Sequence, residues 1–325
     1  MLANIIVEPL SVNTLYFPNA ITSACIRNRS RLMSSPRKIL NSSPIGLVPL
    51  NWSYTPSKMT EYLSSISNYG FEGIQISSDQ ALSSDFLAEM TRNKIRPAEQ
   101  YVAIRCDLAG PLLQAEEESR TTVEAAEKAG VEMLVFAVDG SDDREQQAGR
   151  AESAVKLTDK GMKSLAEHIE RYAHLAKFLG MKSSFHQHAA TYIETPAETR
   201  SLLNLMDAQL VGVCLDVGHW LVGGGDPIEA VVEYAERITH VHVKDVNGQV
   251  LQDLIDGKYE TMNDAVILDK LFVPAGSGIL NLLELFESLE KINFSGWLMS
   301  EQDSAYEPSE QASLVSIKNI RSALI

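Results

Sequence analysis

All seven histidines lie between residues 168 and 242, and five of them sit at or beside short apolar runs. His186 closes MKSSFH with His188 two residues on, His219 follows VGVCLD, and His240 and His242 lie within ITHVHV. Side chains two apart in a strand share a face. In ITHVHVKD one face carries His240, His242 and Lys244, while the other carries Thr239, Val241 and Val243. The valines suit a helix-packed face, so the histidines and Lys244 point the other way. The same parity turns Gly212, Cys214 and Asp216 inward from VGVCLD, and Trp297, Met299 and Glu301 inward from WLMSE. Asp216, His242 and Glu301 thus converge from three strands. Two carboxylates and an imidazole around one centre form an N/O site for one hard or borderline divalent ion, Mn²⁺ first, with Mg²⁺, Co²⁺ or Zn²⁺ as alternatives.

The competing arrangement is a buried network in which a histidine or lysine holds each carboxylate. Two close unpaired carboxylates repel until one stays protonated; a cation removes that conflict. Two residues compete for the fourth ligand position. Glu194, eight residues past His186 in HAATYIET, supplies negative charge and is preferred; His186 has the right parity and the more rigid placement. His168 and His174, six apart among Glu167, Glu170 and Arg171, read as helix-surface or interface residues.

Such an ion, bound at a carbonyl oxygen and a neighbouring hydroxyl, acidifies the α proton and stabilises the resulting enediolate. The general base is Glu194 or Glu301, with His186 and His188 as imidazole alternatives. Lys244 is placed to stabilise oxygen charge or donate a proton. Reprotonation on the opposite face gives an epimer, and reprotonation at the next carbon gives an isomer. Loss of a β-hydroxyl, helped by His219 or Lys244 as acid, gives dehydration. Trp52 and Trp220, after the first and sixth strands, are candidate apolar walls for a small ligand, alongside His188, His219 and Lys244 as substrate contacts. Phe185 has outward parity and reads as core. Arg105 reads as half of a structural ion pair, with an anionic substrate as its alternative partner.

Eight apolar runs position these residues: 45–50, 71–77, 101–106, 131–138, 181–186, 211–216, 238–243 and 296–301. Helical stretches follow near 57–69, 80–91, 114–129, 161–180, 197–208, 227–236, 279–291 and 309–321. Gly130 is a plausible C-cap, and Pro196 and Pro227 follow the candidate caps Thr195 and Asp226. Strands apolar on both faces and separated by helices form a parallel sheet covered by helices. Eight such units predict a closed (β/α)8 TIM barrel, with chemistry at the C-terminal ends of its strands. An open doubly wound sheet would carry a glycine-rich loop after the first strand, where this chain has Asn51, Trp52, Ser53 and Tyr54. Gly223, Gly224 and Gly225 lack phosphate-loop spacing and read as a flexible loop.

The 325 residues are 45% hydrophobic and 22% charged, with a net charge of −15. That charge disfavours nucleic acid and anionic membranes as partners. No run of 18 apolar residues exists, and Cys25, Cys106 and Cys214 give no disulfide framework. Between Glu8 and Glu61 there is no acidic residue, while Arg27, Arg29, Arg31, Arg37, Lys38 and Lys58 are basic. Residues 1–44 therefore read as a basic extension, disordered or targeting, ahead of one barrel domain over 45–325. Localisation reads as cytoplasmic, or organellar if the extension is a presequence. Barrels of this kind often form homo-oligomers; no surface residue identifies an interface.

The segments HQHAAT (186–191), LDVGH (215–219), GGDP (224–227), RITHVHVKDV (237–246), FVPAGSG (272–278) and GWLMSEQD (296–303) occur in order at strand ends. Together they resemble the sugar isomerase/epimerase superfamily of xylose isomerase-like barrels, closest to the branch containing inosose dehydratase, over residues 45–303. The resemblance implies a metal held by Glu, Asp, His and Glu, and carries over to Asp216, His242 and Glu301. Many members have their first Glu where this chain has His186, which leaves Glu194 as the nearest acidic substitute. It also implies His219 near metal or substrate and Lys244 toward a substrate oxygen. The chain departs from the dehydratase pattern at Ser53-Tyr54-Thr55, where that branch has Asn-Asp-Asp after the tryptophan. It departs again at Ile279-Leu280-Asn281, where an Asp is usual. HAAT and DVGH stand for HAGT and DTGH.

These observations together predict a metal-dependent isomerase or epimerase for a small keto sugar or cyclitol. A keto-inositol dehydratase using the same site is the first alternative, and a non-catalytic sugar-binding barrel the second. An abasic-DNA endonuclease is disfavoured by the charge and by the missing additional ligands.

Overall fold

A computed structural model describes residues 39–325. Eight parallel strands close into a barrel in sequential order: β1 (Ile45–Val48), β2 (Gly73–Gln75), β3 (Arg96–Ile104), β4 (Met133–Val138), β5 (Lys182–His186), β6 (Gly212–Asp216), β7 (Ile238–Val243) and β8 (Leu298–Glu301). Closure comes from β1 against β8, with Ile45 opposite Leu298 and Val48 opposite Glu301. The outer layer comprises α1 (Met59–Tyr69), α2 (Ser84–Arg92), α3 (Leu113–Ala129), α4 (Asp159–Phe178), α5 (Pro196–Leu203), α6 (Pro227–Glu233), α7 (Leu282–Lys291) and α8 (Gln311–Leu324). No helix among the described residues is long and apolar enough to cross a membrane.

Local chemistry accounts for the helix starts. Thr195 and Glu198 form a reciprocal capping box ahead of Pro196, and Asp226 accepts from the backbone N–H groups of Ile228 and Glu229. These arrangements satisfy donors that would otherwise be orphaned at a first turn. Gly130 ends α3 at φ 69°, a left-handed conformation that a side chain would oppose. The stretch expected as one helix near 80–91 is two, Ser78–Ala81 and Ser84–Arg92, because Ser77 and Ser83 each cap a new start.

Strand alternation separates two packed layers. Ile45, Leu47, Phe185, Val213, Leu215, Val241, Val243 and Leu298 face outward into the main core against the helices. Val48, Ala98, Trp297 and Met299 fill the barrel interior, with Met133, Val135, Cys214 and Tyr101 forming a second inner group. Gly46 is small because Met299 Sδ occupies its inner face, 2.3 Å from where a Cβ would stand. Fully burying a residue such as Phe185 stabilises by about 1.5–3 kcal/mol.

Two features lie outside the sequence expectation. β3 begins at Arg96, five residues early, so Glu99 lies within the barrel wall opposite Met133. After β7 the chain makes an excursion containing a hairpin between Asp245–Val246 and Phe272–Val273, plus helices Gly248–Ile255 and Met262–Asp269. Val246, Val250, Leu254, Phe272 and Ala190 form a small apolar cluster there. Asp245 secures its return by accepting from the backbone N–H groups of Val246, Gly278 and Leu280. The expected basic extension falls mostly on residues 1–38, outside the described residues. Its last part packs on the barrel: Leu40 is buried, and its N–H donates to Glu290.

Candidate metal centre

Asp216 ends β6 and also caps the short helix Val217–Val222. Its Oδ1 accepts from the N–H of His219 at 2.7 Å. One oxygen is thereby fixed, and Oδ2 is turned into the barrel mouth without a hydrogen-bond partner. There it meets His186 Nε2 at 3.5 Å and His242 Nδ1 at 3.7 Å. Glu301, at the end of β8, brings Oε2 to 2.5 Å from His242 Nδ1 in a geometry that makes no hydrogen bond. Ligand atoms of His186, Asp216, His242 and Glu301 all lie within 4.8 Å of one another, on fully buried residues.

Such a group is costly without a cation. Two carboxylates about 4 Å apart repel by about 4 kcal/mol at an effective dielectric of 20. Lys244, 3.3 Å from Asp216 Oδ2 and 2.8 Å from Glu301 Oε1, offsets part of that, while Asp216 Oδ2, Glu301 Oε2 and His242 Nδ1 still make no hydrogen bond. The unpartnered Asp216 Oδ2, Glu301 Oε2 and His242 Nδ1 form a donor set of the type that holds a divalent ion. The residues fit a divalent ion of the kind that the motif resemblance implies. Glu99, buried in β3, fixes the imidazole by accepting from His242 Nε2 at 3.0 Å and from His240 Nε2. With Nε2–H donating to Glu99, His242 would present Nδ1 to a bound ion, which would displace the proton that its carboxylate neighbours otherwise favour there. Burial works against charge on His242, yet Cys214, Glu99 and Glu301 together hold it well above the ordinary histidine range.

A second layer of contacts sits above. Lys244 Nζ is buried and reaches Asp303 Oδ2 at 2.7 Å, Glu301 Oε1 and His219 Nε2 at 2.8 Å, and Asp216 Oδ2 at 3.3 Å. Burial opposes the charge on Lys244, and Asp216, Asp303 and Glu301 outweigh it, so the ammonium form is favoured. Burial pushes the Asp303 carboxyl up to about 7. His188 is half-buried, donates from Nδ1 to the carbonyl of Ala189, and stacks on His219 with ring centroids 3.7 Å apart. Burial pulls it down to about 4, leaving it neutral across the physiological range. Phe272, from the excursion after β7, closes one side, 4.9 Å from Lys244 Nζ.

The structure gathers Asp216, His242, Glu301, His186, His188, His219 and Lys244 at one mouth, and it separates two other candidates from them. Glu194 is not in the cluster. Its Oε1 accepts from Gly149 N at 2.9 Å and its Oε2 from Ala190 N at 2.8 Å, with Arg144 at 3.8 Å. It fastens the loop after β5 instead of folding back over the centre, and His186 stands beside Asp216, His242 and Glu301 in its place. Trp220 also leaves the site: on the helix after β6 it packs into the main core against Tyr234. Trp52 donates its indole N–H to Ser313 Oγ at 3.1 Å. It lines a cavity of about 360 Å³ with Tyr54, Gln75, Gln100 and Tyr101, and Tyr101 sets its ring edge-on to His186. Arg105 pairs with Glu118 at 2.6 Å, as its structural reading requires. His168 is buried against Ser119 Oγ at 2.9 Å, whereas His174 is exposed as expected.

Glu99, Tyr101, Asp303 and Phe272 are the site residues that sequence reasoning passed over. Asp303 had a usable signal, since it closes the GWLMSEQD segment two residues past Glu301.

This geometry has parallels in known proteins. The inosose dehydratase of Geobacillus kaustophilus is 37% identical over 162 residues, covering 49% of this chain and 52% of the relative. The chain spans about half the length of the curated relatives it matches. Among solved structures, the Escherichia coli 3-keto-D-glucoside 4-epimerase YcjR superposes with a TM-score of 0.65 at 17% identity, over 86% of this chain and 99% of that one. The probable 3-DHS dehydratase AsbF of Bacillus anthracis gives 0.66 at 14% identity, over 86% and 98%. At such identities these likenesses speak for the fold alone. Residues 63–323 match the family described as the xylose isomerase-like TIM barrel. With the closed eight-stranded barrel and the cluster at its C-terminal mouth, that match places the chain in the xylose isomerase-like TIM barrel family.

Proposed function

We propose that the protein is a divalent-metal-dependent lyase that dehydrates a small keto-cyclitol or keto sugar, beginning with proton removal next to the carbonyl. The observation that carries this reading is the convergence of unpartnered Asp216, Glu301 and His242 atoms beside His186. When bound there, a divalent ion supplies a Lewis acid for the carbonyl oxygen. His188, neutral and at the rim, or the carboxylate of Glu301 accepts the α proton. Lys244 places an ammonium where oxygen charge develops. Lys244 holds a proton beside the same mouth, hydrogen-bonded to Asp303, which is what a departing β-hydroxyl needs. Phe272 and the excursion after β7 keep water from that side.

The identity to inosose dehydratases favours elimination over the isomerase or epimerase outcome expected from the sequence departures. Epimerisation remains the second reading. It needs an acid and a base on opposite faces of one carbon, and His188 and Glu301, rising from different sides of the mouth, meet that requirement. Incubation with inosose and Mn²⁺ in D₂O, followed by mass spectrometry, separates the two. Elimination yields a product one water lighter; epimerisation loses no water and returns an epimer one mass unit heavier, with deuterium at the inverted carbon. Neither change in inosose or in keto sugars of similar size would refute the enzymatic reading and leave a non-catalytic sugar-binding barrel.

A further inference from the structure

A second group of potential ligands adjoins the centre: His219, Glu301 and Asp303, with atoms within 4.8 Å of one another. Lys244 Nζ stands among them, 2.8 Å from His219 Nε2, 2.8 Å from Glu301 Oε1 and 2.7 Å from Asp303 Oδ2. One nitrogen and two carboxylate oxygens around a point is what a second divalent ion would require. We propose that the Lys244 ammonium is a built-in substitute for a second metal ion, and that it limits the centre to one ion. The inference rests on the metal-dependent reading above.

Two independent observations support it. The first is charge balance. Asp216, Glu301 and Asp303 place three carboxylates within ion-pair reach of Lys244, so the ammonium already stands at the point where a second cation would sit. One ammonium and one divalent ion supply three positive charges. A second divalent ion beside the lysine would add two further positive charges to a buried site whose carboxylates the ammonium already engages, and uncompensated buried charge is strongly disfavoured. The second is space reserved for the lysine stem. At Gly218, in the LDVGH segment, an added Cβ would lie 2.7 Å from Lys244 Cγ and 2.9 Å from its Cβ and Cδ. Any side chain there would displace the ammonium.

Metal stoichiometry tests this. The full-length protein is stripped with chelator and dialysed against excess Mn²⁺, and manganese per chain is read by plasma emission spectrometry. Wild type is expected to bind one equivalent. Lys244→Ala is expected to bind two, and Lys244→Ala/Asp303→Asn to return to one. Methylammonium, a soluble copy of the lysine head group, is expected to displace the additional ion from Lys244→Ala. A Lys244→Ala protein with wild-type circular dichroism that still binds one equivalent or fewer overturns the proposal, as does wild type binding two. If Lys244→Ala does not fold, Lys244→Ser opens the same space with a hydroxyl able to donate to a carboxylate, and the same stoichiometry decides. No binding by wild type would instead sink the metal-dependent reading itself.

Discussion

Two buried polar clusters lie near the loop after β5, and they differ in how their atoms are used. In one, Arg144 donates from Nη1 to Glu198 Oε1 and the carbonyl of Val155, and from Nη2 to Glu198 Oε2. Glu198 also accepts from the backbone N–H groups of Glu194 and Thr195, and Glu194 spends both oxygens on backbone donors. Only Arg144 Nε lacks a partner among these charged groups. In the other, Asp216, Glu301, His186 and His242 each leave an atom unpartnered. Each is built around two buried carboxylates. Saturation marks the first as structural, a staple between α5 and the preceding loops, while convergent unsatisfied atoms mark the second as a ligand site.

The largest effect expected on this contrast is at Asp216. Asp216→Asn keeps the shape and the cap to His219 but removes the charge at Oδ2. It should lower kcat/KM for the dehydrated substrate by about 10³-fold, the rate equivalent of several kcal/mol of Lewis-acid stabilisation. Steady-state kinetics at saturating Mn²⁺ would show it.

The staple should respond in stability instead. Arg144→Met strands Glu198 and should cost about 3–5 kcal/mol in urea unfolding, with metal content per folded chain unchanged. If that variant lost its metal at undiminished stability, the division between the clusters would collapse.

Glu99 sharpens the comparison from within the site. Glu99→Gln cannot accept from both imidazoles as an anion, and Mn²⁺ affinity measured by calorimetry should fall about 10–100-fold.

The smallest effect concerns a third buried group, remote from both. Burial holds the pKa of His168 below 6.5. As pH falls through 6.5 the unfolded chain takes up a proton that the folded chain declines. Stability supplied by this group is therefore complete above pH 6.5 and declines below it. In His168→Gln that increment of acid sensitivity should vanish from urea titrations between pH 7 and pH 5.

Much of this architecture was legible in the residues. Each of the eight apolar runs overlaps a barrel strand, because parallel strands buried on both faces leave an apolar signature that helices interrupt. Parity in 211–216, 238–243 and 296–301 aimed Asp216, His242 and Glu301 correctly, since the period of two is rigid. What failed lay where no period operates. The polar RPAEQ hid the start of β3 and with it Glu99. Loop 187–195 carries no rule for which way a carboxylate turns, so the negative charge of Glu194 put it ahead of His186. Trp220 misled because the six-residue helix that rotates it outward has no amphipathic repeat to announce it. His168 looked exposed beside its charged neighbours, although the helical stripe of Leu165, Ile169 and Tyr172 carries it into the core.

The central claim is that one divalent ion is held by His186, Asp216, His242 and Glu301. Metal content of wild type, Asp216→Ala and Glu194→Gln, measured by plasma emission spectrometry after dialysis against each of Mn²⁺, Co²⁺, Zn²⁺ and Mg²⁺, tests it most directly. The account predicts one equivalent in wild type and in Glu194→Gln, and none in Asp216→Ala. No binding of any ion by wild type, or loss of the ion in folded Glu194→Gln with retention in Asp216→Ala, would contradict it.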